Sequence, residues 1–366
     1  MNQMVKVLIG AAVVLVASAA VCLGALLIIS GGNPARYVQT AIIRLSLTGR
    51  TDDLNRSVST DTSPVRFEIL SGDTPRVIAH RLADQGLIHD PDLFVDYVRV
   101  SEIDRQLEAG TYFLTRAQSL VEIAGALTDS RSSQFPFRIL EGWRLEEIAA
   151  AIDANPYFGF SGAEFLAVVG PNAEVDPDFA AFVGLPAGAS LEGFMFPDTY
   201  RLPAQVTPTM LRDILLDTFI EQTRELQPLA IAEGITLREA VILASIIQRE
   251  AVHPAEHAMI SSVYRNRLAI GMKLDADPTV QYGIGFQDGS WWPRITQADY
   301  MAAVSPFNTY LNTGLPPGPI ASPGLSAIRA AIAPAESPYY YFRAACDGSG
   351  FHVFARTYAE HLANAC

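Results

Sequence analysis

The stretch Leu237-Arg238-Glu239-Ala240-Val241-Ile242-Leu243-Ala244-Ser245-Ile246-Ile247-Gln248-Arg249-Glu250 decides how this chain is read. Between Ala240 and Ile247 the single polar side chain is Ser245. A helix that is apolar around its whole circumference belongs inside a core. Glu250 stands three and four positions beyond Ile247 and Ile246, so it shares their face. Burial disfavours an ionised carboxyl, so an acid held against such a wall keeps its proton to higher pH. A carboxyl that is neutral near pH 7 is able to act as a general acid. The plainer reading makes Glu250 the first solvated residue past the helix end, opposing the helix dipole at a cost of about 0.3–1 kcal/mol. The pattern leaves both open.

On either side of this helix the apolar spacing predicts two more, over residues 207–227 and 260–270. The run Gly314-Leu315-Pro316-Pro317-Gly318-Pro319 fits neither a helix nor a central strand, so it is a shaped, rigid loop. Residues 338–342 read as a buried aromatic strand and residues 351–354 as its hairpin partner. Upstream, Glu192 lies in Leu191-Glu192-Gly193-Phe194-Met195-Phe196-Pro197-Asp198-Thr199-Tyr200. An acid flanked by aromatics, Gly and Pro suits a sugar-lined groove, and equally an ordinary turn crossing a core.

The first half contains a repeat. Phe67-Glu68-Ile69-Leu70-Ser71-Gly72, followed by Ile78-Ala79, recurs 70 positions later as Phe137-Arg138-Ile139-Leu140-Glu141-Gly142, followed by Ile148-Ala149. Each copy reads as a strand, a glycine turn and an amphipathic helix, because the apolar period changes from 2 to about 3.6. Such units are generic α/β packing or a carbohydrate-binding module of the LysM kind. Residues 30–63, rich in Gly, Ser, Thr and Asp, read as a linker with a short helix at 38–47. Before it, residues 7–29 carry no charge and are long enough to span a bilayer core of about 30 Å. A cleaved signal peptide has a shorter apolar region of about 7–15 residues, so an uncleaved anchor is expected. Lys6 on one side and Arg36, Arg44 and Arg50 on the other leave its orientation open.

A net charge of −13 argues against nucleic acid as a partner, and 49% hydrophobic against 18% charged residues excludes a disordered chain. His253-Pro254-Ala255-Glu256-His257 matches the H-x-x-E-H spacing of one zinc-protease class, but Pro254 fits a helix only in its first turn. Asp277, before Pro278, and Asn308 stand beside turns, where such residues usually act as caps. With Cys22 inside the apolar run, Cys346 and Cys366 remain as one disulfide or two free thiols.

Five segments in order resemble the endolytic peptidoglycan transglycosylases, the MltG/YceG-like family. They are residues 191–200 (LEGFMFPDTY), 243–250 (LASIIQRE), 263–283 (VYRNRLAIGMKLDADPTVQYG), 307–324 (FNTYLNTGLPPGPIASPG) and 338–361 with its GFHVF, and the likeness runs from about residue 64 to the C-terminus. The resemblance implies an α+β protein: a cytoplasmic tail (1–6), a transmembrane helix (7–29), the linker (30–63), a LysM-like α/β subdomain (64–132) and a larger α+β catalytic domain (133–366) outside the cytoplasm. It implies that Glu250 is the catalytic acid and base, with no cofactor and no metal. Gln248 departs from relatives that often carry a second Glu there. Expected around the groove are Glu192, Asp277, Gln281, Asn308, Tyr310, Gly314, Leu315 and Pro316. The implied reaction cuts the β-1,4 bond between N-acetylmuramic acid and N-acetylglucosamine and leaves a 1,6-anhydro end. The implied partners are peptidoglycan glycan strands, the cell-wall synthesis machinery and the membrane. The alternatives are a non-catalytic peptidoglycan-binding membrane protein and a zinc metalloprotease using His253 and His257.

Overall fold

Both copies of the repeat fold as a strand, a turn with its glycine at positive φ, and a helix. The computed structural model describes residue 24, residues 33–129 and residues 133–366. It divides into two units between Ser133 and Gln134, each holding one copy. Residues 7–29 lie outside the described residues except for Gly24. Among the described residues no helix is long and apolar enough to cross a membrane.

The first unit runs α1 (Pro34–Thr48), α2 (Thr51–Asn55), β1 (Val65–Ile69), α3 (Pro75–Asp84), α4 (Pro91–Val100), β2 (Gly110–Leu114) and α5 (Leu120–Ala126). Strand β1 pairs antiparallel with β2, Phe67 opposite Tyr112. Alternate residues of β1 point inward, and Phe67 and Ile69 meet Ile78, Leu82, Phe94 and Ile123 in one core. Thr74 and Asp90 cap α3 and α4, each followed by a proline at the first helical position. The expected linker is partly built into this unit. Residues 34–55 form two helices whose Leu47 and Leu54 are buried, and Arg50 pairs with Asp90 at 2.9 Å. One buried leucine from each helix, Leu47 and Leu54, ties this polar stretch to the core of the unit.

The second unit runs β3 (Gln134–Arg138), α6 (Leu145–Asp153), α7 (Gly162–Val169), α8 (Pro177–Val183), β4 (Thr199–Pro203), α9 (Pro208–Thr223), α10 (Gln227–Ala232) and α11 (Leu237–Glu250). A 3₁₀ turn (Pro254–Glu256), α12 (His257–Ala269), α13 (Asp277–Ile284), α14 (Asp299–Ala302), α15 (Leu325–Ile332), β5 (Tyr341–Ala344), β6 (His352–Ala355) and α16 (Tyr358–Ala363) complete it. Strands β3 and β4 pair antiparallel, Phe137 opposite Tyr200. The architecture is mixed α+β, with small two-stranded sheets among many helices.

Two predicted elements differ in extent. Helix α9 stops at Thr223 rather than 227, because Pro228 has no N–H to return to the Arg224 carbonyl and fits only the first turn of a new helix, which starts at Gln227. The C-terminal hairpin is displaced from 338–342 to Tyr341–Ala344 and is half-exposed rather than buried. Pro338 has no N–H to give a ladder. The carbonyls of Ser337, Tyr339 and Tyr340 are instead held by the Asn266 and Arg267 side chains of α12. Cys346 and Cys366 form a disulfide that ties the chain end to this hairpin.

Candidate active site

Helix α11 is the hub of the second unit and packs on α8, α10, α12, α13 and α15. It begins at a capping box: Thr236 Oγ1 accepts from the Glu239 N–H, and Glu239 Oε2 accepts from the Thr236 N–H. From Ala240 to Ile247 every residue is buried. Burying the one polar residue is tolerable because it is satisfied. Ser245 Oγ donates to the Ile242 carbonyl at 2.7 Å and accepts from Ile320 N at 3.1 Å. That second bond is one of three by which α11 holds the glycine- and proline-rich loop. Arg238 donates to the Pro317 carbonyl, and Gln248 Oε1 accepts from Gly324 N at 2.9 Å. Positions 238, 245 and 248 fall on one side of the helix. Gly193 closes the other side of the loop at φ +86°, where a Cβ would lie 2.4 Å from Pro319.

Glu250 ends the helix half-buried. Tyr264, buried on α12, donates its hydroxyl to Glu250 Oε1 at 2.7 Å. Burial, helped by the charge of Asp277, pushes the Glu250 carboxyl up to about 7, against the opposing pull of the Tyr264 hydrogen bond and the Arg267 charge. Burial and the neighbouring Glu250 hold the Tyr264 hydroxyl well above its ordinary range, so it stays a donor. Asp277, at the start of α13, accepts from Tyr310 at 2.7 Å and from Tyr300 at 3.5 Å. The two tyrosine rings stack with centroids 4.2 Å apart. Arg267 is fixed by the carbonyls of Tyr340 and Leu274, both at 2.6 Å. The site is thus a proton-holding acid, a locked donor and a second carboxylate braced by two phenols.

The repeat in this unit forms the neighbouring wall. Gly142 N donates to the Ser322 carbonyl at 2.8 Å, and Ser322 N donates to the Trp143 carbonyl at 2.7 Å. Arg144 lies over the rings of Tyr282 and Trp291, at 4.2 and 4.7 Å, while Arg249 lies 3.9 Å from the Trp292 centroid. Trp292 Nε1 donates to Glu147 at 2.9 Å. Gln248 Nε2 donates to Glu141 at 3.2 Å.

The residues expected around the groove divide into two sets. Asp277 lies close enough to Glu250 to raise its carboxyl, Tyr310 donates to Asp277, and Gly314 and Leu315 are half-exposed on the clamped loop. The others face inward. Glu192 is only 3% exposed, and its two oxygens accept from the N–H groups of Leu145 and Gly193, both at 3.2 Å. Burial and the charge of Glu146 push it up to about 8. Asn308 is fully buried and donates to the carbonyls of Tyr300 and Ala303, both at 2.9 Å. Gln281 donates to the Pro293 carbonyl at 2.8 Å, and Pro316 is buried. The polar atoms of Glu192, Asn308 and Gln281 thus meet backbone groups that burial would otherwise leave unpaired. Tyr264 and Tyr300 escape the sequence reading; the only signal for Tyr264 is its place within 263–283.

The H-x-x-E-H spacing does not converge. His253 Nε2 bonds the Ser349 carbonyl, His257 Nδ1 bonds Ser326 Oγ, and Glu256 pairs with His352 at 2.9 Å. Pro254 opens a 3₁₀ turn between the two histidines, so they do not share one face of a helix. Among the described residues no group of three or more His, Cys, Asp or Glu is disposed to hold a metal ion.

Residues 67–366 match the model of the YceG-like family. The chain is 32% identical over 317 residues to the endolytic murein transglycosylase of Bacillus subtilis, covering 81% of this chain and 82% of that protein. It is 26% identical over 326 residues to the endolytic murein transglycosylase of Streptococcus pneumoniae D39, spanning 81% of this chain and 58% of that longer protein. A crystal structure of a yceG-like protein from Listeria monocytogenes superposes with a TM-score of 0.53 at 28% identity, covering 82% of this chain and 99% of that one.

Proposed function

The chain belongs to the YceG-like family, and from that membership we infer that it is an endolytic murein transglycosylase in which one residue, Glu250, is both acid and base. The observation that carries the residue assignment is the Glu250 carboxyl, held neutral to about 7 at the end of a buried helix, with Tyr264 on one of its oxygens. The Tyr264 hydroxyl occupies Oε1, so the proton sits on Oε2. Oε2 protonates the glycosidic oxygen between N-acetylmuramic acid and N-acetylglucosamine, and the bond from C1 to that oxygen breaks. Glu250, now a carboxylate, takes the proton from the muramyl 6-hydroxyl as its oxygen attacks C1. The products are a 1,6-anhydro end and a free 4-hydroxyl, and no water is consumed. The ionised form is stabilised by the Tyr264 hydrogen bond and the Arg267 charge, which is what the second half of the reaction needs. One carboxyl therefore serves where hydrolases of this bond use two. Asp277, braced by Tyr300 and Tyr310, lines the groove with Gly314 and Leu315.

The substrate is the glycan strand of peptidoglycan, met beside the synthesis machinery and outside the cytoplasm. Residues 7–29 anchor the enzyme in the cell membrane, and the unit formed by β1, α3, α4 and β2 acts as a LysM-like glycan contact. The test is Glu250→Gln in the full-length protein on purified glycan strands. Loss of general acid–base help lowers release of anhydro ends by about 10²–10⁴-fold, read by mass spectrometry. Undiminished release overturns the role of Glu250. Release of reducing ends instead makes the enzyme a hydrolase.

A further inference from the structure

We propose that the stacked pair His253 and Phe351 is a sugar subsite, holding one pyranose ring of the glycan strand next to the bond that Glu250 breaks; this rests on the function proposed above. The two rings lie 4.1 Å apart and 18° from parallel. His253 follows Glu250 by three residues, which limits their Cα separation to about 11 Å. A sugar bound there is therefore within reach of the same strand that meets Glu250.

Phe351 is 43% exposed, so it contributes little to the core, yet it is held from several directions. Its N–H donates to Ser349 Oγ at 3.2 Å, and Ser349 N donates to Asp347 at 2.9 Å. Gly350 has φ +78°, and a Cβ there would come within 3.3 Å of His253 Nε2 and 3.4 Å of Val252. The positive φ favours glycine at this point, where the hairpin tip sits against the turn after α11. Beneath the tip, the buried Glu256 takes both the N–H and the Nδ1 of His352, at 2.9 Å each. An aromatic ring fixed in place with an open face is a platform for the C–H face of a sugar.

His253 adds a polar contact of defined kind. Its Nε2 meets the Ser349 carbonyl at 2.8 Å, and a carbonyl only accepts, so Nε2 carries the hydrogen. In the neutral ring Nδ1 then offers a lone pair, the partner for an N-acetyl N–H or a hydroxyl. The H-x-x-E-H segment thus divides its labour. His253 meets the sugar, Glu256 anchors the hairpin, and His257 bonds α15 through Ser326.

The test compares wild type, Phe351→Ala and Phe351→Trp as full-length proteins on glycan strands. Phe351→Ala raises KM about tenfold with kcat within about twofold, and Phe351→Trp returns KM to near the wild-type value. The alkaline limb of the pH profile stays where it is. An unchanged KM in Phe351→Ala overturns the subsite. A lower kcat with a shifted pH limb also overturns it, because the hairpin would then merely hold the helix end. Strand binding to Glu250→Gln, with and without Phe351→Ala, needs no turnover. A tenfold weaker Kd there supports the subsite even if the wild type releases no anhydro ends, an outcome that sinks only the proposed reaction.

Discussion

The two copies of the strand, turn and helix share a backbone and differ in what their turns touch. In the first, Gly72 has φ +91°, and a Cβ there would meet nothing within 4 Å. The turn closes on itself: Asp73 accepts from the Leu70 N–H at 2.7 Å and from Arg81 at 2.6 Å. Those bonds hold the Asp73 carboxyl below its usual range. In the second, Gly142 has φ +79°, and a Cβ would lie 3.2 Å from the Arg249 side chain, one residue before Glu250. Its backbone bonds leave the turn for Ser322, and Arg144 and Glu147 reach the aromatic loop around Trp291 and Trp292. The carboxyl beside this copy, Glu192, is buried and shifted the opposite way from Asp73. The motif fixes a backbone path. The residues placed on it decide whether the path is self-sufficient or becomes part of a catalytic wall.

The most direct way to break this comparison is to substitute both glycines. Gly72→Ala carries the cost of a left-handed backbone, about 1–2 kcal/mol in thermal unfolding, and leaves kcat unchanged. Gly142→Ala carries the same cost and also displaces Arg249, which lowers kcat about tenfold. Equal activity in the two variants removes the distinction between self-contained and wired turns.

Tyr264→Phe sharpens the contrast between carboxyls. It removes a hydrogen bond that favours the ionised Glu250, so the carboxyl titrates higher still. With the carboxyl at about 7 the wild-type kcat/KM is expected to fall above that pH; in the variant this alkaline limb moves higher, while kcat drops a few-fold because the carboxylate form loses support. A limb that stays in place or moves down contradicts the assigned hydrogen bond.

Glu192→Gln has the smallest effect on turnover and a distinct signature in stability. The folded chain raises this carboxyl from 4.5 to about 8, so its favourable contribution is full below pH 4.5 and fades as pH rises to about 8. The melting temperature of wild type relative to the Gln variant therefore declines across that window, by an amount equivalent to about 5 kcal/mol. A difference that stays constant with pH means the acid is already ionised in the fold.

Much of this was legible from spacing alone. An unbroken apolar run with one serine has no stable place except inside a core, and α11 begins and ends where the residues predict. The repeat was legible because a change of period marks the passage from strand to helix. For Glu192 and Asn308 spacing left the surroundings open, because flanking aromatics and turns look the same whether the polar group faces a groove or the backbone of another segment. Which it does depends on residues distant in the chain: Leu145 stands 47 positions before Glu192.

The sequence by itself determined the buried helix, the acid at its end, the paired turns and the shaped loop, because each follows from local periodicity or from a backbone that only certain residues adopt. The tertiary structure alone decided that Tyr264 caps Glu250, that Asp277 lies near enough to raise it, and that Ser245 and Gln248 clamp the loop. Those facts depend on how helices far apart in the chain pack, and proton affinity responds to distance in space rather than to distance in sequence.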